Sequence, residues 1–438
     1  MQLYKKISAA NRIKYGTEAE KVLEIIINQY SDRTHFIYEI LQNAEDAGAS
    51  QIRFHLTPNA LEIYHNGRPF NEKDIEGVCG IANGTKADGT RIGHFGIGFK
   101  SVYCYTEVPV ICSGPYHFAI KNQLFPEETA AKPGLGADET CMILPFNKPE
   151  VSPQVAYQEI KDALLRKIHA ESILILDNIR EVKTEVDGYP DTITISKIKN
   201  PIGSLEQGRV YALGMRTLVT NHKGKNAVKD ADYLFFTDSK REASALVFKV
   251  DGADGKTLCP IRNAKVYAFF PTAKEAHQNF YIHAPFDTTP ARDNFKEGAE
   301  YGRHNIALVD HICELINDSL LWMRDNGYLS FEGFNTVFPI YEYEETDILY
   351  AIYQNSVDVI ASGVELLPTN QLGVYKSIDN ICVPAASAIV DVFTDDDLHQ
   401  LVSYRLNWLA KEISTEAYAG LKSFLRRNAN FQTLEWKD

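Results

Sequence analysis

The chain of 438 residues, 45% hydrophobic and 24% charged, is too long for one small core and predicts about two to four domains. Its 27 Gly and 18 Pro are too few for a fibrous or low-complexity chain, and no apolar run approaches the roughly 18–20 residues of a membrane span. The formal net charge of −13 is concentrated late, residues 331–438 carrying 7 Lys+Arg against 16 Asp+Glu, so nucleic-acid binding would need a local basic groove that the totals conceal.

The N-terminus, Met-Gln-Leu-Tyr-Lys-Lys, shows no secretory pattern, so a cytoplasmic location is expected. Thr17 and Glu20 form a capping box ahead of Val22, Leu23, Ile25, Ile26 and Ile27, which predicts a helix over 18–30. A second helical run, 34–48, ends at Ala47-Gly48, and QIRFHL and ALEIYH then alternate around Thr57-Pro58-Asn59 as a hairpin. Glycines at 77, 80, 84, 89, 93, 96 and 98 interrupt any periodicity and predict a mobile loop. After the strand-like TCMILPF, Ser152-Pro153 reads as the N-cap and first turn of a helix to about 169, placing a boundary near 148–152.

Between 172 and 300 short β-patterned runs dominate, among them IREVKTEV, TITISKI, YLFFT, SALVFKV, KVYAFFP and FYIHAPF, so a mostly antiparallel second domain is expected. Residues 302–325 read as a helix, and 335–438 as acidic and mostly helical with a loop at Leu367-Pro368-Thr369. Seven widely spaced cysteines without a C-x-x-C pair read as buried thiols, not as a disulfide framework or zinc site.

Two segments carry chemistry. In EILQNAEDAGA, Glu39, Asn43 and Asp46 fall at i, i+4 and i+7 and share one helix face, where a carboxylate, an amide and a second carboxylate can activate water and hold a divalent cation. A solvated helix produces this pattern easily. About fifty residues on, GHFGIGFKS (93–101) removes side chains at Gly93, Gly96 and Gly98, so backbone N–H groups can approach phosphate oxygens at a helix start, with Lys100 as a cation for the terminal phosphate. It lacks the spacing of a Walker loop and the βαβ setting of a dinucleotide fingerprint.

Together, LQNAEDAGA, HNGRPF, GTK (84–86), IGHFGIGFKSVY, FFPT (269–272) and YIHAPFDTTPARDN (281–294) resemble the GHKL ATPases, and most nearly the sacsin-type, heat-shock-chaperone-like branch. The resemblance covers about 17–300. It implies that Glu39 is the general base, that Asn43 holds Mg²⁺, and that Asp46 makes a structural, water-mediated contact. It makes Gly93, Phe95, Gly96, Ile97, Gly98, Phe99 and Lys100 the phosphate cradle, and Thr140 a water-mediated contact to the nucleotide base. Lys86 lies in the implied lid, where it either touches phosphate or caps a turn. Arg292, with Lys274 in reserve, is the basic residue expected to reach the terminal phosphate from a second domain.

One position departs from the family pattern. Where relatives carry an Asp that accepts a hydrogen bond from the adenine amino group, this chain has His65, followed by Asn66 and Gly67. A neutral imidazole nitrogen or the Asn66 amide oxygen could accept that bond, more weakly than a charged carboxylate; a plain Asn-Gly hairpin turn is the other reading.

The expected architecture is α+β: a two-layer α/β sandwich (Bergerat-type) ATP-binding domain at 1–148, a β-rich transducer-like domain at 149–330, and a helical C-terminal region at 331–438. The expected function is slow Mg²⁺-dependent ATP hydrolysis driving lid closure and domain rearrangement, as a chaperone-like or anti-phage-defence switch. Homodimerisation through the N-terminal helix and a protein client at the C-terminal region belong to this reading. The alternatives are a nucleotide-sensing scaffold without turnover, and a DNA-acting clamp of the MORC or MutL kind.

Overall fold

The computed structural model describes residues 2–16, 32–81, 98–238, 244–289, 294–296, 299–338, 344–384, 387–403, 405–415, 418–428 and 432–434. They form two compact units, Met1–Ile198 with Met215–Asp230, and Lys199–Gly214 with Ala231–Asp438.

The first unit opens with α1 (Gln2–Tyr15), a helix too polar to stand out in the sequence, which buries Tyr4, Ile7 and Asn11. The Asn11 amide donates to Cys79 O at 2.9 Å and Leu124 O at 2.8 Å, so a polar side chain fixes the helix in place. The helix predicted over 18–30 lies outside the described residues, as does most of the glycine-rich stretch read as a loop. The second helix, α2 (Phe36–Asp46), follows a 3₁₀ turn at Arg33–His35 whose Asp32 cap accepts from Thr34 N. It buries Phe36, Ile37, Ile40, Leu41 and Ala44. A Schellman motif ends it: Gly48, at φ 72°, donates to Glu45 O (2.8 Å) and Ala49 to Ala44 O (2.9 Å).

Strands β1 (Gln51–Thr57) and β2 (Ala60–His65) form the expected hairpin, in register from Ile52↔His65 to Thr57↔Ala60. Period-two alternation buries Ile52, Phe54, Leu56, Leu61 and Ile63, each contributing about 1.5–3 kcal/mol when fully removed from water. Helix α3 (Glu72–Cys79) carries a capping box between Asn71 and Asp74. A 3₁₀ segment at Gly98–Cys104 then leads to β3 (Val110–Ser113), β4 (Tyr116–Lys121), β5 (Phe125–Glu128) and β6 (Thr140–Pro145). Helix α4 (Pro153–Lys167) starts where predicted, Ser152 Oγ accepting from Val155 N.

The next strand, β7 (Glu181–Val186), pairs with β1 in parallel, Gln51↔Glu181 to Leu56↔Val186. IREVKTEV therefore extends the first sheet, and 153–198 lie in the first unit although the sequence reading starts a new domain at 149. The strand order is β8 (Asp191–Ser204), β7, β1, β2, β6, β3, β4, β5. Together with β9 (Gly208–Asn221) and β10 (Asn226–Asp238), β8 contributes residues to both units.

In the second unit β10 pairs antiparallel with β11 (Ala245–Asp251), which also takes β12 (Thr257–Cys259) and β15 (Tyr281–His283). Strand β13 (Lys265–Ala268) pairs β14 (Phe270–Glu275) antiparallel and β15 in parallel. The core joins Phe236, Phe248, Phe280 and Ile282 to Leu308, Ile312, Leu320 and Met323 of α5 (Ala299–Asp325). Beyond it, among the described residues, α6 (Phe331–Val337), α7 (Tyr350–Ala361), α8 (Ser387–Val392), α9 (Asp395–Leu401) and α10 (Ala419–Asn428) are interspersed with the short strands β16 (Leu367–Pro368), β17 (Tyr375–Lys376), β18 (Ile381–Pro384), β19 (Asn407–Trp408) and β20 (Gln432–Leu434). Leu367–Pro368 and Tyr375–Lys376 close a short antiparallel ladder where a loop is predicted. All seven cysteines are free thiols, five of them buried. No helix among the described residues is long and apolar enough to cross a membrane.

Candidate functional site

The site is built from α2 outward. Ile40, Leu41 and Ala44 are fully buried, while Glu39, Asn43 and Asp46 remain partly accessible along one edge of the helix. Glu39 Oε1 lies 3.2 Å from Nε2 of His35, one turn earlier and itself buried. His35 is therefore the residue that orients Glu39, a role sequence reasoning missed although the i, i+4 spacing carried the signal.

Gly98, the first described residue after the glycine-rich stretch, meets that carboxylate directly. A Cβ on residue 98 would stand 2.7 Å from Glu39 Cδ and closer still to Oε2, so a residue with no side chain is required for Glu39 to sit where it does. The acidic helix face and the end of the glycine-rich segment are thereby in contact. Among the described residues no group hydrogen-bonds the Asn43 carboxamide, which leaves an amide for a ligand beside a carboxylate. No group of three or more His, Cys, Asp or Glu among the described residues could hold a metal by itself. An ion here would take its ligands from Asn43 and a bound phosphate, a donor set that suits Mg²⁺. Lys86, Gly93, Phe95, Gly96, Ile97 and Arg292 lie outside the described residues.

Lys100 has a different task from the phosphate contact expected of it. Its side chain is 1% exposed, and Nζ donates to Val78 O at 2.8 Å and Gln123 O at 2.5 Å. Burial lowers its pKa to about 8 and pushes the neighbouring Cys79 thiol up to about 12. A cation bound to two main-chain carbonyls in the interior joins the end of α3 to the turn before β5. The adjacent Phe99 is buried edge-on against Tyr103. Lys274, the reserve cation, is ion-paired to Asp347 at 2.7 Å within the second unit.

At the far end of β2, His65 is the register partner of Thr140, and both are buried. The Thr140 hydroxyl shares a 2.5 Å hydrogen bond with Ser113 Oγ, which accepts from Phe70 N at 2.9 Å. His65 Nδ1 accepts from the Gly67 N–H at 3.2 Å, and burial holds its pKa down at about 4, so the ring is neutral. Asn66 is committed elsewhere: Oδ1 accepts from Ser50 N and Gln51 N, both at 2.9 Å, and Nδ2 donates to Ser50 Oγ. Its amide oxygen therefore does not act as the base acceptor considered from the sequence. Gly67 touches the end of α2, a Cβ there coming within 3.0 Å of Ala47 Cβ and Ala47 O.

Glu45 belongs to the same box but not to the ligand face. It is 5% exposed and its carboxylate accepts from the main-chain N–H groups of Asp177, Asn178 and Ile179 and from Asn178 Nδ2, at 2.7–3.1 Å. The box thus contains one acid that locks α2 to the segment before β7, and two that stay accessible.

Residues 17–148 match the Sacsin domain family. Human Sacsin is 34% identical over an alignment of 111 residues, and the match covers 21% of this chain and 2% of that protein. Protein NO VEIN of Arabidopsis thaliana is 35% identical over an alignment of 95 residues, and the match covers 20% of this chain and 4% of that one. Chaperone protein HtpG of Sulfurovum sp. (strain NBC37-1) is 24% identical over 409 residues, covering 83% of this chain and 60% of HtpG. The chain spans a small fraction of the length of the first two relatives. The family match contains every site residue from Glu39 to Thr140.

Proposed function

We propose that this chain binds ATP with Mg²⁺ and hydrolyses it slowly, as a chaperone-like molecular switch built on a GHKL-type nucleotide domain in the first unit. The observation that carries the reading is the Glu39 carboxylate lying on Gly98, with the Asn43 carboxamide, unbonded among the described residues, one turn further along the same helix edge. Similarity to the Sacsin domain family, and over most of the chain to HtpG, supports it.

Glu39, oriented by His35, would hold a water and take its proton as the water oxygen bonds to the terminal phosphorus and the bridging P–O bond to ADP breaks. Bound Mg²⁺ would supply charge to offset that growing on the phosphate oxygens, and Asn43 would hold it. Gly98 keeps the phosphate side of the site free of side chains, and His65 with Thr140 would line the base end. Positioning and charge do the chemistry, and no covalent intermediate on the protein is required. A nucleotide sensor without turnover is the second reading, favoured by His65 in place of a charged acceptor.

The test compares ATP binding and ADP release in the wild type, Glu39→Ala and Asn43→Ala. Glu39→Ala should keep binding while turnover falls about 10²–10⁴-fold, the usual contribution of a positioned base. Asn43→Ala should lose the Mg²⁺-dependent part of binding. Equal turnover in all three proteins refutes the assignment; binding without turnover in the wild type selects the sensor.

A further inference from the structure

The hydrolysis chemistry makes no use of the protonation pattern of the His65 ring. A neutral imidazole has one N–H, and because Nδ1 accepts from Gly67, that proton resides on Nε2. The backbone holds this tautomer: Arg68 N donates to Ala47 O at 2.7 Å and Gly67 abuts Ala47 and Ala49, so the Gly67 N–H cannot turn away from the ring. The ring is 4% exposed, and among the described residues no group accepts from Nε2. Of its neighbours, Thr140 is bonded to Ser113 and Asn66 to residues 50 and 51. A donor on a buried ring stands where related sites present an acceptor.

We propose that His65 reads the nucleotide base by donation, so that the site takes purine nucleotides with an acceptor at C6, hypoxanthine or guanine, at least as readily as ATP. This inference rests on the nucleotide-site reading above. Against Nε2–H, the adenine amino group would set N–H toward N–H and leave that donor unpaired, whereas a 6-oxo group accepts the bond.

The experiment is titration calorimetry of the full chain with the Mg²⁺ complexes of ATP, ITP and GTP at one salt concentration, repeated with His65→Asp. In the wild type ITP should bind at least as tightly as ATP. In His65→Asp the ratio should move toward ATP by about tenfold or more, the effect of one hydrogen bond of about 1.4 kcal/mol. A wild type that prefers ATP over ITP by tenfold or more overturns the inference even if the variant does not fold, and leaves the nucleotide site standing. An unchanged ratio in a folded His65→Asp also overturns it. Failure of all three nucleotides to bind removes both this inference and the reading beneath it.

Discussion

Replacing Gly98 by Ala isolates the contact on which the site depends. The new methyl would lie 2.7 Å from Glu39 Cδ, about 1 Å inside ordinary carbon–carbon contact, so the carboxylate must shift by that amount or turn away from His35. Overpacking of this kind costs about 1–3 kcal/mol. A displacement of about 1 Å at the reacting group lowers turnover on the order of 10²-fold. The stability term can be measured without nucleotide. Urea unfolding of the wild type, Gly98→Ala, Glu39→Ala and the double variant forms a cycle in which Gly98→Ala is costly with Glu39 in place and nearly neutral in the Glu39→Ala background. A coupling of about 1–3 kcal/mol is expected. Equal cost in both backgrounds, within about 0.5 kcal/mol, would show that residues 39 and 98 do not touch and would remove the structural basis of the site.

Three further outcomes follow from the surroundings of the site. Because burial lowers the pKa of Lys100 from 10.5 to about 8, the native state holds that proton less tightly than the unfolded chain. Stability relative to Lys100→Met should therefore rise between pH 8 and 10.5, by up to about 3 kcal/mol, and a flat difference across that window in unfolding titrations would contradict the buried cation. Glu45→Gln puts an amide N–H₂ where a carboxylate oxygen accepts from main-chain N–H groups, so urea unfolding should show a loss of about 2–4 kcal/mol with ATP affinity unchanged in the folded fraction. Ser113→Ala leaves Phe70 N–H and the Thr140 hydroxyl without a partner, and thermal unfolding should register a cost of about 1–3 kcal/mol.

Local signals in the sequence carried the parts of the fold that short segments decide for themselves. The 51–65 hairpin, the Ser152 cap and the Gly48 helix stop appear as read, since alternation, a capping hydroxyl and a left-handed glycine act within a few residues. The partly accessible edge Glu39-Asn43-Asp46 was likewise legible, because helical period fixes which residues share a face. Glu45 was not: its partners are the amides at 177–179, and no local pattern reports a bond across about 130 residues. Nor does periodicity choose between neighbours for β7, whose parallel pairing to β1 is a long-range decision. Lys100 shows the same limit, since a lysine beside a glycine-rich turn reads as a phosphate ligand until its depth is known. The polar helix α1 went unseen because only Tyr4 and Ile7 mark its inner face, and a buried asparagine completes the attachment.

The threading of β8, β9 and β10 has a consequence for how the chain comes to be folded. The first unit needs residues 215–230, which are synthesised only after the chain has passed through 199–214 of the second. Neither unit is a contiguous stretch, so a fragment cut after residue 148 or 198 would lack strand segments of its own sheet and leave edges open to self-association. On the ribosome the last segment of the first unit emerges only after part of the second has done so.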